Sequence, residues 1–169
     1  MLTSTVSKQM FSTRNNLSRE TRGEMITLLN QQLANIFDLY SQTKQAHWNV
    51  KGAQFIALHE LFDKLAAEMA SHADMIAERA TALGGLAQGT VRMSAANSQL
   101  PESDLDVTDC LPTVEAMADR YAALAASMRK AIDAAESQGD ADSADLFTEI
   151  SRGLDKALWF LEAHLQSQS

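Results

Sequence analysis

His59, Asp63, Asp74 and Glu78 can all ligate a metal ion, and their spacing is that of one face of one helix. His59 and Asp63 are a single turn apart, as are Asp74 and Glu78. At about 100° per residue the four side chains fall at roughly 0°, 40°, 60° and 100°, so all project from the same side, while His72, at roughly 220°, does not. Imidazole and carboxylate donors suit Fe(II), Mn(II) and Zn(II), with geometry and availability choosing among them. The run HELFD at 59–63 lacks the second histidine of a zinc protease, and no Glu-x-x-His pair of the kind that builds a di-iron centre inside one bundle occurs in the chain.

Axial distance decides how such a set can be used. Asp63 and Asp74 are eleven residues apart, about 16 Å along a helix axis, whereas the ligands of one ion must converge to about 2.0–2.2 Å from it. A single copy of the helix cannot close the site. The two pairs are nevertheless centred on the same point, because 59 and 78 share a midpoint with 63 and 74, between Glu68 and Met69. A second copy crossing antiparallel at that point would set His59 against the partner's Glu78 and Asp63 against the partner's Asp74, giving two equivalent sites per two-fold dimer. Ala66, Ala67 and Ala70 beside the crossing are small enough for close approach.

The element carrying these residues is predicted as one helix over about 54–83, with Phe55, Leu58, Phe62, Leu65, Met69, Ile76 and Leu83 on its apolar face and Gly84 and Gly85 ending it. A first helix over about 18–46 precedes it, capped by Ser18, with a stripe of Met25, Leu28, Leu29, Leu33, Ile36, Phe37 and Tyr40. His47 and Trp48 follow at its C-terminal end, and residues 49–52 make the turn. Residues 85–106 are a long connection with a short helix near 91–97. A third helix covers about 108–137, on Leu111, Val114, Met117, Tyr121, Leu124, Met128 and Ile132, with Pro112 tolerated in its first turn. The fourth covers about 140–165, with Leu146, Ile150, Leu154, Leu158 and Leu161 inward. Four long helices with a long crossover between the second and third define an all-α, ferritin-like four-helix bundle. The expected organisation is a mobile tail over 1–17, one bundle over 18–165 and a short polar tail over 166–169.

KQAHWNVKGAQFIALHELFD followed by DMIAERATALGG resembles the signature of the Dps (DNA protection during starvation) proteins, the miniferritins, and the likeness runs across nearly the whole chain. It implies a hollow homododecamer built from two-fold dimers, which oxidises Fe(II), preferentially with hydrogen peroxide, and stores Fe(III) mineral inside. The ferroxidase site would take two irons, with His47, His59 and Asp63 from one subunit and Asp74 and Glu78 from its neighbour. His47 with the neighbour's acids would hold the tighter iron, and His59 and Asp63 would help a second iron or a bridging water. Trp48, unless it is core, could accept an oxidising equivalent beside His47. Asp140, Asp142 and Asp145 open the fourth helix, where the macrodipole favours carboxylates. There GDADSADLF resembles the family's acidic three-fold pores, which assigns Asp140 and Asp145 to iron uptake. His72 and His164 are read as non-ligands.

Composition bounds the alternatives. A chain of 169 residues, 46% hydrophobic and with two prolines, suits one compact domain. A formal charge of −8 argues against a surface built mainly for nucleic acid and, on a shell, would attract divalent cations. The single cysteine, Cys110, excludes an intrachain disulfide and reads as a small semi-buried side chain. Neither a leader nor a membrane-spanning run is apparent, so the expected location is cytoplasmic, with nucleoid association if DNA is bound. The first nineteen residues carry Lys8, Arg14 and Arg19 and no acid. Twelve such tails could engage DNA by multivalency, which makes a structural, DNA-condensing protein with secondary iron chemistry the competing class.

Overall fold

The computed structural model describes residues 9–166, which form four long helices and one short one and, among the described residues, no strand. Helix α1 (Arg19–Asn49) starts where the Ser18 hydroxyl accepts the Thr21 N–H at 3.0 Å, satisfying one of the amides that every helix start leaves unpaired. Met25, Leu29, Leu33, Ile36 and Leu39 are buried along its inner face, while the expected Leu28, Phe37 and Tyr40 are half-buried at its margin. The helix continues three residues beyond Ala46, so His47 and Trp48 belong to its last turn.

Residues 50–54 turn the chain into α2 (Phe55–Ala82), which returns alongside α1. The turn is pinned from outside, since the Lys51 N–H donates to Thr108 O at 2.8 Å and the Cys110 thiol donates to Lys51 O at 3.0 Å. Leu58, Phe62, Leu65, Met69 and Ile76 are fully buried, whereas Phe55, expected on the same stripe, is 37% exposed. At the far end Gly84 takes φ +89°, donating to Thr81 O, and Gly85 donates to Ala80 O. This pair of bonds ends a helix by reversing into the left-handed region, which favours glycine.

The crossover over 83–109 carries only α3 (Val91–Asn97) and is held by polar side chains of the long helices. Asn35 Oδ1 accepts the Gln99 N–H, Asp38 accepts the Ser98 hydroxyl at 2.5 Å, and Gln42 donates to Pro101 O. Arg120, only 8% exposed, donates to Gln42 Oε1 at 2.6 Å and to the Glu102 carbonyl. Helix α4 (Cys110–Ser137) and α5 (Ala141–Leu165) form the second hairpin. α1 contacts α4 and α2 contacts α5, so the four long helices enclose one core. Within it Leu146 packs against the core at its margin as expected, Phe147 beside it is fully buried, and Leu111 is 48% exposed. Phe147 widens the apolar face by one position, within the width of a core-facing stripe, and Leu111 falls outside it.

Residues 9–17, assigned by composition to the mobile tail, lie against this bundle. The Phe11 N–H donates to Gly84 O at 2.7 Å, and Met10 and Leu17 touch the core. Their apolar side chains and that one amide give the segment partners that a count of Ser, Thr and Asn does not register. The rest of that tail, residues 1–8 with Lys8, and the final residues 167–169 lie outside the described residues. No described helix is long and apolar enough to cross a membrane.

Candidate metal centre

The five-residue turn between α1 and α2 sets the last turn of one helix against the start of the next, and two histidines meet there. The His47 and His59 rings stack with centroids 3.8 Å apart and planes 20° apart. Each is tied to the other's backbone: His47 Nδ1 lies 2.7 Å from His59 O, and His59 Nδ1 lies 2.8 Å from His47 O. A carbonyl oxygen only accepts, so both Nδ1 atoms carry the hydrogen, and in each neutral ring the lone pair is on Nε2. That is the outer hydrogen bond that typically orients a metal-ligating imidazole.

Asp63, one turn beyond His59, brings Oδ1 to 4.0 Å from His47 Nε2. The same oxygen accepts a hydrogen bond from Lys44 Nζ at 2.6 Å. Lys44 holds the Asp63 carboxyl below its ordinary value, first through this hydrogen bond and then through its charge, with smaller contributions from the two histidines. Sequence reasoning missed Lys44. Its signal was available, because Lys44 stands three and four residues before His47 and Trp48 on a helix and must share their face.

Asp74 and Glu78 are not in this cluster. They continue an exposed row along α2, comprising Asp63, Ala67, Ala70, Asp74 and Glu78, while His59 at its head is half-buried. Ala66 is 1% exposed and faces the core, so the small residues beside the expected crossing reduce to Ala67 and Ala70. That change keeps the midpoint, since 67 and 70 are centred where 63 and 74 are. Among the described residues no three His, Cys, Asp or Glu side chains of one chain gather closely enough to hold a metal ion.

A family profile described as a ferritin-like domain matches residues 26–168. The DNA protection during starvation protein of Agrobacterium fabrum is 44% identical over 157 residues, covering 93% of this chain and 97% of that one. The structure of DpsA14 from Streptomyces coelicolor, 33% identical, covers 96% of this chain and 94% of its own with a TM-score of 0.88. The chain belongs to the Dps family of ferritin-like proteins. A Dps protein from Vibrio cholerae O1, 25% identical and matching 95% of this chain and 100% of its own at a TM-score of 0.86, is described as a member of a broad superfamily of ferritin-like diiron-carboxylate proteins.

The remaining residues singled out by the Dps resemblance are placed as follows. Trp48 is 65% exposed beside His47, with Lys44 Nζ 5.7 Å from its ring centroid, so it is not a core residue of the subunit. The assignment of Asp140 to a pore needs correction. Its side chain is 1% exposed, Oδ1 accepts from Arg79 Nη2 at 2.7 Å and from the Ser143 N–H at 3.1 Å, and Oδ2 accepts the Ser143 hydroxyl. Asp140 is the N-cap of α5, and its carboxylate is committed to Arg79 and Ser143 within the subunit. Asp145 is exposed, as is Asp142, which stands 3.8 Å from Arg79. His72 lies against Gly153 of α5, and burial pulls its pKa down despite Glu68 and Glu149 nearby. The His164 Nδ1–H donates to Phe160 O at 2.8 Å. Neither joins the centre.

Proposed function

We propose that the chain is a miniferritin subunit that oxidises Fe(II) at centres shared across two-fold interfaces and keeps the Fe(III) product as mineral inside a homododecamer. The observation that carries this reading is the pairing of two imidazoles, each with Nδ1 committed to a backbone carbonyl, with an exposed row of carboxylates symmetric about Ala67 and Ala70. Antiparallel apposition of two such rows brings Asp74 and Glu78 of each subunit to the His47, His59 and Asp63 of the other. A set of two neutral nitrogens and three carboxylates suits ferrous iron as substrate.

Each residue then has a definite task. His47 and His59 present Nε2 lone pairs in fixed directions, which spares the ordering cost a free imidazole would meet. The carboxylates neutralise the incoming charge and stabilise the more highly charged ferric product more than the ferrous substrate, which favours oxidation. Two Fe(II) supply one electron each to one hydrogen peroxide. With two protons taken up, its O–O bond breaks to give two waters, and no hydroxyl radical need leave. Trp48, exposed beside His47, is positioned to give up an electron if only one iron is present. Removal of iron and peroxide together would protect DNA without contact. Asp145 is proposed as a residue of the iron-uptake path.

The experiment is an anaerobic Fe(II) titration followed by peroxide, comparing the native protein with a His47→Ala, Asp74→Ala variant. Fast oxidation by the native protein and loss of most of that rate in the variant is the expected result. Equal rates would remove the assigned centre.

A further inference from the structure

Phe55 is a phenylalanine that the core of the bundle does not use. The apolar stripe of α2 would place it inside, yet it is 37% exposed at the first position of that helix. Its backbone is set by the turn, where the Phe55 N–H donates to Gly52 O at 3.1 Å. What its ring touches is a histidine. The Phe55 and His59 centroids are 5.1 Å apart with planes tilted by 36°, a contact open to side chains four residues apart on a helix. His59 therefore has an aromatic neighbour from each of two helices, the His47 ring of α1 at 3.8 Å and the phenyl group of its own α2.

Resting on the ferroxidase reading above, we propose that Phe55 is a positioning residue: its ring is a fixed wall that holds the His59 imidazole in the plane from which Nε2 meets the metal. The hydrogen bond from His59 Nδ1 to His47 O, 2.8 Å long, does not do this alone. It fixes one atom of the ring and leaves the plane free to pivot about the line joining nitrogen and oxygen. The stacked His47 ring limits that pivot, but His47 is itself a ligand in this reading. Phe55 carries no ligand atom and has no reason to move when iron arrives. Turning the imidazole over would exchange the places of its two edges, break the bond to His47 O and send Nε2 elsewhere, and the phenyl contact opposes that motion too. Support of this kind around a ligand is what keeps a metal site ready before it is loaded. An aliphatic side chain of similar bulk would fill the same space without offering a flat face, which separates positioning from simple packing.

The test compares native, Phe55→Leu, Phe55→Met and Phe55→Tyr proteins at one neutral pH, with light scattering to confirm the size of each assembly. Leucine and methionine both fill the space without a flat face, so either one that assembles serves. The first readout is the metal-free protein labelled with nitrogen-15 histidine, in which His59→Ala identifies the His59 signals. Native and Phe55→Tyr proteins should show one Nδ1–H tautomer for His59, and Phe55→Leu a mixture of ring states. The second is anaerobic calorimetry with Fe(II). Phe55→Leu should bind it about three- to tenfold more weakly, the range for one aromatic pair, and Phe55→Tyr should restore native affinity. In a His59→Ala background Phe55→Leu should cause no further loss, because the ring it positions is gone. Unchanged His59 signals in Phe55→Leu, or an equal loss of affinity in the His59→Ala background, would overturn the proposal. Failure of both the leucine and methionine variants to assemble would make Phe55 a packing residue and overturn it as well. A native assembly that binds no Fe(II) would remove the ferroxidase reading, while the metal-free spectra would still decide whether Phe55 holds the ring.

Discussion

The proposed division of the centre between subunits makes a complementation experiment quantitative. One variant, His47→Ala with Asp63→Ala, destroys the histidine half, and a second, Asp74→Ala with Glu78→Ala, destroys the acidic half. Each alone leaves every centre broken. In a dimer of one variant with the other, the intact histidine half of the second faces the intact acidic half of the first, while the opposite centre loses both halves. An isologous interface therefore yields one working centre of the two in each mixed dimer. Random reassembly of an equal mixture makes about half the dimers mixed, so about a quarter of native peroxide-driven Fe(II) oxidation should return. Co-expression or joint refolding followed by isolation of the assembled shell gives the sample, and circular dichroism checks that both variants keep their helices. All the altered side chains lie at the exposed edge of α2 or at the end of α1, outside the core, so folding should survive. Each variant alone should stay near background. No recovery on mixing, with both variants folded and assembled, would refute a shared centre. Substantial oxidation by the Asp74→Ala, Glu78→Ala variant alone would refute it equally.

Four further outcomes follow from particular contacts. Asp140→Ala removes the N-cap of α5 and the partner of Arg79, and should cost about 2–4 kcal/mol in denaturant unfolding, with Asp140→Asn costing less because asparagine still caps. Asp145→Asn should slow iron uptake into the shell, whereas Asp140→Asn should not, and stopped-flow oxidation with excess Fe(II) separates the two. At Gly84 a Cβ would lie 2.6 Å from Phe11 O and force a side chain into φ +89°. Gly84→Ala should therefore destabilise by about 1–3 kcal/mol and free the segment over 9–17 to proteolysis. His72 has a folded pKa below its ordinary value, so above about pH 6.5 it is neutral both folded and unfolded and contributes no pH dependence. As pH falls from there through the folded pKa, the unfolded chain takes up the proton first and stability is lost. With metal chelated, His72→Asn should flatten that acid limb in thermal melts, and an unchanged limb would assign it to other groups.

How much of this was legible in the sequence depends on which interaction fixes each feature. Helix existence follows from local signals, and the C-terminal end of α2 was read to within a residue because the Gly84–Gly85 pair lets the chain reverse into the left-handed region there. The exposed row on α2 was legible for the same reason, since a 3.6-residue period fixes direction whatever the rest of the chain does. Ala66 shows the limit: it lies only about 40° from Ala70 in projection, yet it is buried, because α2 contacts two other helices and its apolar face is correspondingly wide. Asp140 was misread because an acid at a helix start satisfies a cap and a pore equally well in one dimension, and only the position of Arg79, sixty-one residues away, distinguishes them. The stacking of His47 on His59 was equally hidden. Nothing in their spacing says that a five-residue turn, pinned to the start of α4 by Lys51 and Cys110, would trade each ring's Nδ1–H for the other's carbonyl. That exchange is what orients the two histidines for the proposed ligand role, because each imidazole is held by the backbone of the other and cannot rotate without breaking its own Nδ1–H bond. Loosening the pinned turn, for instance by Gly52→Val, where a Cβ would stand 3.1 Å from Cys110 Sγ at φ +121°, should therefore weaken Fe(II) binding even though no ligand has been touched.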